Sequence, residues 1–232
     1  MPPPFHAFSP QHWLALGIGV ALLAGLIVAG RRGGNPRRIA TGLLAFANLS
    51  AYPLGVAAWL SLRVPLEPDK FVPLHLCDLA AIIAGFALLT RNPRLCGLTY
   101  FWGLAATSQA LVTPALSVAF PSAPFVTFFV QHFAVVGAAL FLPLVDGWRP
   151  GQPLWKGPLG ALGWAIAYVL LVLAVNRVLG TNFGFATRPP DNPSLLDHLG
   201  PWPWYLVTSL AIALGLFFLL TLPFRRACGP LK

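Results

Sequence analysis

Apolar residues fall in seven stretches separated by short polar turns, at about 13–30, 39–62, 74–90, 95–113, 125–145, 159–179 and 204–224. Most reach the ~20 residues that an α-helix needs to cross ~30 Å of hydrocarbon. Strands of a membrane barrel are about 10 residues long and alternate in polarity, and these runs do neither. The pattern predicts an all-α fold: a polytopic bundle of seven transmembrane helices, forming one membrane domain over residues 1–232. Ser9-Pro10 suits the start of the first helix, with Ser9 as cap and Pro10 in the first turn. The third run is the shortest and is bounded by Pro73 and Pro93, with Pro73 expected in its first turn. Pro53 lies inside the second run, where a proline can break a helix as it does in carriers. The loop 180–203 is the longest and is rich in Pro, Asn and Asp, and long polar loops often carry function.

Lysine and arginine give the direction. One set of loops holds Arg31, Arg32, Arg37, Arg38, Arg91, Arg94, Arg149, Lys156, Arg225, Arg226 and Lys232, eleven in all; the other side holds Arg63, Lys70, Arg177 and Arg188. By the positive-inside rule the N-terminus is outside and the C-terminus cytoplasmic. The first run has no basic residue before it and four just after, so it reads as an anchor and not as a cleavable signal peptide. Trp13, Trp59, Trp148, Trp155, Trp202 and Trp204 fall near span ends, as interfacial tryptophans do.

Composition agrees. The chain is 57% hydrophobic and 9% charged, with a mean hydropathy of +0.73; a soluble domain carries about 25% charged residues. The formal charge of +9 is a feature of topology, so no nucleic-acid partner is expected. Three cysteines cannot make a disulfide framework. In this topology Cys77 lies on one side of the membrane and Cys96 and Cys228 on the other, which leaves Cys77 no disulfide partner within the chain.

Polar side chains in hydrocarbon are costly and are usually kept for a reason. His75, Cys77, Asp78, Gln109, His132, Asn176 and Arg177 come from four runs, and all fall in the outer half of the bilayer. His75 and Asp78 are three apart and share a helix face. Cys77, about four residues into its helix, lies ~6 Å below the helix start. A thiol there is a candidate nucleophile, and His132 is the base that would take its proton. The alternative for Cys77 is a small core residue; for His75, a helix cap. Asp78 is expected to be either protonated or paired with Arg177 or a histidine, with a role in orienting a histidine favoured. Gln109 and Asn176 are candidates both for the site and for interhelical bonding. Arg177 either snorkels to the surface or holds a lipid phosphate. His6 and His12 fall in a proline-rich tail, expected to be exposed and without a role. No metal-ligand spacing is recognised and no cofactor is expected. No lysine lies within a span, which excludes a retinal Schiff base.

Four segments carry a resemblance: Pro73-Leu-His-Leu-Cys-Asp-Leu79, Tyr100-Phe-Trp-Gly103, Leu179-Gly-Thr-Asn182 and Leu196-Asp-His-Leu-Gly-Pro-Trp-Pro-Trp-Tyr205. From about residue 39 to 224 the chain resembles the YwaF-like bacterial integral membrane proteins. It departs from them at Gln131, where that family tends to have serine before the histidine, and at Phe183, where it often has tyrosine. Those proteins are distantly similar to a vertebrate multispan family containing a cysteine-dependent ether-phospholipid acyltransferase. The resemblance implies a bacterial inner-membrane location, Cys77 as nucleophile and His132 as base.

Two functions follow as expectations. One is a membrane-embedded acyltransferase, transacylase or ester hydrolase that acts on a phospholipid or lysophospholipid near the outer leaflet. Here Cys77 and His132 are catalytic, His75 and Asp78 orient or polarise, and Arg177 and Asn182 receive the head group. The other is a non-enzymatic binder or carrier of a lipid, metabolite or metal in the same pocket. Spacing leaves the order of the helices open, and with it the oligomeric state and whether Cys77 and His132 are neighbours.

Overall fold

The computed structural model describes residues 3–63 and 68–225, Asp69 by its backbone alone. Arg226, Cys228 and Lys232 lie outside the described residues. Helices dominate: α1 (Pro10–Arg31), α2 (Gly34–Leu60), α3 (Leu76–Thr90), α4 (Pro93–Trp102), α5 (Ser108–Val112), α6 (Ala123–Leu144), α7 (Lys156–Leu179), α8 (Trp204–Leu219) and α9 (Leu222–Arg225). A π-helical stretch, Gly103–Thr107, joins α4 to α5. The described residues contain no strand beyond an isolated bridge between Pro4 and Val118.

Local chemistry sets the ends. Pro10 opens α1, although the Ser9 side chain makes no capping bond. Asn92 caps α4, its side chain accepting from the amides of Arg94 (3.0 Å) and Leu95 (3.4 Å), and Pro93 fills the first turn. Gly180, at φ +66°, ends α7 in the left-handed conformation that costs glycine least.

Five helices are long and apolar enough to cross a membrane: α1, α2, α6, α7 and residues 204–225, which include α8 and α9. The third run gives a helix of 15 residues, about 22 Å at 1.5 Å per residue. It starts later than expected. His75 is in extended conformation (φ −67°, ψ 143°), so Pro73 precedes the helix and is not in its first turn. Cys77 is therefore the second residue of α3, nearer its start than spacing suggested. The fourth run is helical but interrupted by the π stretch. Pro53 does not break α2, which runs unbroken from Gly34 to Leu60.

The centre is the packing of α2, α3 and α6 on one another, with α1 against α2 and α6, and α4 against α3 and α6. Lipid tails are as apolar as leucine, so helices in a bilayer associate through close packing and interhelical hydrogen bonds. Small residues line this seam: Ala51, Ala80, Ala81, Ala84 and Ala138 are fully or almost fully buried. Asn48, buried on α2, donates to Leu44 O (2.8 Å) and across to Ala134 O on α6 (2.9 Å). Beyond the end of α6, the buried Asp146 carboxylate accepts from Arg37 of α2 (2.7 Å) and pairs with Arg91 at the end of α3. One acid thus ties the same three helices at their arginine-rich end.

α7 and α8 flank this centre. The Tyr100 hydroxyl donates to Leu220 O (3.0 Å) and the Trp102 indole to Ala161 O (3.2 Å). Trp148 packs on Tyr100 and Phe224, and so is a packing residue. The expectation for His12 is overturned. It is wholly buried, its Nδ1 accepting from the Phe8 amide (2.9 Å) and its Nε2 donating to Leu111 O (2.9 Å). A carbonyl only accepts, so the tautomer is fixed. The tail folds back because a histidine inside the bundle needs both partners. His6 is exposed, as expected.

Gly103 marks the tightest rigid contact. A Cβ there would meet Ala139 Cβ at 2.9 Å and Val135 O at 3.3 Å. Gly103→Ala is expected to destabilise the bundle by about 1–3 kcal/mol, read as a lower melting temperature in detergent. Gly163→Ala in α7, with nothing within 4 Å of the added carbon, is expected to be neutral or stabilising by up to ~1 kcal/mol.

Candidate functional site

At the end opposite the Asp146 pairs, a cavity of about 190 Å³ lies between the start of α3, the end of α2 and the start of α6. Tyr52, Gly55, Val56 and Trp59 of α2 line one wall. Pro124, Thr127, Phe128 and Gln131 of α6 line another, with His132 beside them. Both sets follow i, i+3, i+4, i+7, the spacing of a single helix face. Trp59, at the end of α2, therefore faces the cavity. The third wall carries Lys70, His75, Cys77 and Asp78, and Ala51, Ala110, Ala115, Leu116 and Phe185 complete the lining.

His132 is buried in the tenth position of α6. Its Nδ1 lies 2.7 Å from Phe128 O, one turn earlier, and the Phe128 ring stacks on the imidazole at 4.1 Å between centroids. A carbonyl oxygen cannot donate, so in the neutral ring Nδ1 carries the proton. Nε2 is left as an acceptor and has no hydrogen-bond partner among the described residues. This is the state required of a general base.

Asp78 does not pair with Arg177. Its Oδ1 accepts from Gln131 Nε2 at 2.8 Å, which ties the first turn of α3 to α6 next to His132. Cys77 is a free, half-buried thiol on the same cavity. No hydrogen bond joins it to His132 among the described residues; the two share the cavity without touching through one.

His75 sits just before α3, in edge contact with Phe183 (5.5 Å) and tilted against Phe185 (5.9 Å). The Gly184 amide approaches its Nδ1 at 3.5 Å. Gly184 has φ +64°, and the Tyr168 hydroxyl occupies the space a Cβ would need. That hydroxyl donates to Leu74 O at 2.9 Å, fixing the chain immediately before His75. Tyr168 of α7 thus braces the approach to α3 and the 183–185 turn together.

The other expected site residues lie elsewhere. Gln109 and Arg177 are exposed and do not line the cavity. Asn176 accepts from the Phe183 amide (2.8 Å) and the Thr181 hydroxyl (2.9 Å) and donates to Phe183 O (3.0 Å). Asn182 accepts from the Thr187 amide and hydroxyl and from the Arg188 amide, and donates to Arg188 O (3.0 Å). Both amides shape the loop after α7. The same loop is held from the far side by Tyr205, whose hydroxyl donates to Phe185 O (2.6 Å), and by the Trp202 indole, which donates to Ala186 O (3.1 Å). Two of the motifs that carry the resemblance therefore meet in one structure, the seat of His75.

Gln131, Tyr52, Lys70 and Thr127 line the cavity without having been singled out for it. The signal for Gln131 was present: an amide beside a buried histidine, one turn after Thr127. Tyr52 and Lys70 carried none, because their approach to α3 is a tertiary fact.

The fold and the cavity define a multi-pass helical membrane protein with a histidine- and cysteine-lined pocket at one end. The model of the TMEM164 family matches residues 7–221, and the chain belongs to that family. No curated protein and no solved structure matches it.

Removing the Asn176 amide leaves three loop groups without their partner. Asn176→Ala is expected to destabilise the loop by about 1–3 kcal/mol. The measurement is proteolytic cleavage between residues 180 and 190, which rises in the variant while the helices stay protected.

Proposed function

We propose that this TMEM164-family protein is a membrane-embedded lipid acyltransferase or transacylase, or an ester hydrolase, with Cys77 as nucleophile and His132 as general base. One observation carries the reading: the Cys77 thiol and a histidine whose acceptor nitrogen is unoccupied line the same small cavity, at the same end of the bundle. Supporting it, Gln131 and Asp78 bridge the two helices that bear them. We read the chain as seven spans with α3 and residues 93–112 crossing beside the five longer helices, N-terminus outside, in a bacterial inner membrane. The YwaF-like motifs and the distribution of arginine favour this.

In this mechanism Cys77 Sγ attacks the carbonyl carbon of a phospholipid ester as its proton passes to His132 Nε2. The tetrahedral adduct collapses, the carbon–oxygen ester bond breaks, and His132 returns the proton to the departing lysophospholipid hydroxyl. The acyl group is then a thioester on Cys77. An acceptor hydroxyl, or water, attacks that thioester as His132 takes its proton, and the thiol is regenerated by return of the proton. No co-reactant beyond donor and acceptor is needed. The amide of Cys77, in the first turn of α3, where helix amides lack intrahelical acceptors, is the candidate donor to the oxyanion. Lys70, on the cavity wall, takes the head-group role that sequence gave to Arg177 and Asn182. A site opening toward the outer leaflet favours a phospholipid donor over a soluble thioester in the cytoplasm.

A binder of the same lipid is the second reading. It is favoured by the lack of a hydrogen bond between Cys77 and His132.

The test is intact mass of the purified protein in lipid, with and without hydroxylamine. An acyl adduct labile to hydroxylamine is expected on the wild type and absent from Cys77→Ala. His132→Gln is expected to lower lipid turnover by ~10²–10⁴-fold. Full turnover by Cys77→Ala would remove the mechanism; lipid retained without adduct or turnover would favour the binder.

A further inference from the structure

We propose that the crevice between α4 and α7, at the arginine-rich end, binds one phospholipid with a net negative head group. Its volume is about 260 Å³ and it is separate from the Cys77 cavity. The two helices line it in the same register. α4 contributes Arg94 at its start and Phe101 seven residues on; α7 contributes Lys156 and, eight residues on, Trp164. At 1.5 Å per residue the rings lie ~10–12 Å along the helices from the cations. A cationic rim over an apolar, aromatic wall is the complement of a phospholipid: anionic at one end, hydrocarbon at the other.

Charge supports the assignment. No acidic residue lines the crevice. The neighbouring acid, Asp146, is already held by Arg37 and Arg91. Lys156 is folded over the Trp155 ring at 5.9 Å and forms no salt bridge among the described residues; nor does Arg94. Two cations without a counterion at a membrane surface attract anionic lipid. The depth of the wall excludes a free phosphate as the fitted occupant, since phosphate would leave the ring-lined part unfilled.

The floor of the crevice is consistent with an occupant. Gly157 is closely packed, because a Cβ there would sit 3.0 Å from Phe101. Gly97 and Gly160 are not: the nearest atom to an added Cβ is 3.9 Å away at Gly97, and nothing lies within 4 Å at Gly160. Both positions leave open space beside their helices. Their effect is to keep the crevice wide.

The test is native mass spectrometry of the full chain in detergent, with equimolar phosphatidylglycerol and phosphatidylcholine of matched acyl chains. The wild type is expected to retain phosphatidylglycerol in preference. Removing each charge is expected to weaken retention about fivefold, so Arg94→Gln with Lys156→Gln together lowers it roughly 25-fold. Gly160→Leu, which fills the crevice and leaves the charges, is expected to lower it as well. Arg32→Gln with Arg38→Gln, two exposed charges at the same end, is expected to leave it unchanged. Equal retention of both lipids by the wild type overturns the proposal, as does an equal loss in the Arg32 and Arg38 pair, or full retention by Gly160→Leu. The readout is binding, so it stands apart from any activity of Cys77.

Discussion

Inside a bilayer a polar group has no water to bond with, and a protein partner must be found or the cost is several kcal/mol. That constraint organises this molecule more than any single contact. Asn48 bonds across from α2 to α6. Asp78 takes the Gln131 amide, and Tyr168 reaches the carbonyl before His75. Each of these bonds joins elements distant in the chain. Because the apolar surfaces of the helices gain little by leaving lipid for one another, these few bonds and the alanine-lined seam fix which helices are neighbours.

The seam and the site depend on each other. Small residues let α2, α3 and α6 approach closely, and Asp146 with Arg37 and Arg91 closes the three at one end. At the other end the same helices enclose a cavity, lined by Tyr52, Trp59, Phe128 and Gln131 beside the small Ala51 and Gly55. The polar residues that can do chemistry collect where the packing opens. His132 shows the consequence: its Nδ1 is satisfied by its own helix, which orients the ring and leaves Nε2 as the acceptor beside the cavity it lines.

The loop after α7 has a different part. It contributes little to the cavity wall beyond Phe185, yet its backbone between Phe183 and Arg188 is bonded by Asn176, Asn182, Tyr205 and Trp202. What this rigidity holds in place is His75, between Phe183 and Phe185. A motif rich in Trp, Pro and Asn therefore acts on the site indirectly, by fixing the turn that meets His75 at the entrance to α3.

Much was legible in the chain itself. Helix positions followed from the apolar runs, because a span must bury about 20 residues in hydrocarbon whatever its neighbours are. His75, Cys77, Asp78 and His132 were legible as groups near one end of the bundle, since distance along a helix sets that, and they line one cavity. Where local rules competed with packing, sequence misled. Proline at position 73 did not start a helix, because His75 is held extended against the 183–185 turn. His12 was not exposed, because Phe8 and Leu111 supply both of its partners. Which polar residues point at the cavity was decided only by tertiary structure: Gln131 does and Gln109 does not, and Asn176 and Asn182 turn to their own loop. The reason is physical. Sequence fixes how deep a side chain lies and which face of its helix it occupies, but the rotation of each helix is set by its neighbours, and here those are chosen by a few interhelical bonds and one shared carboxylate.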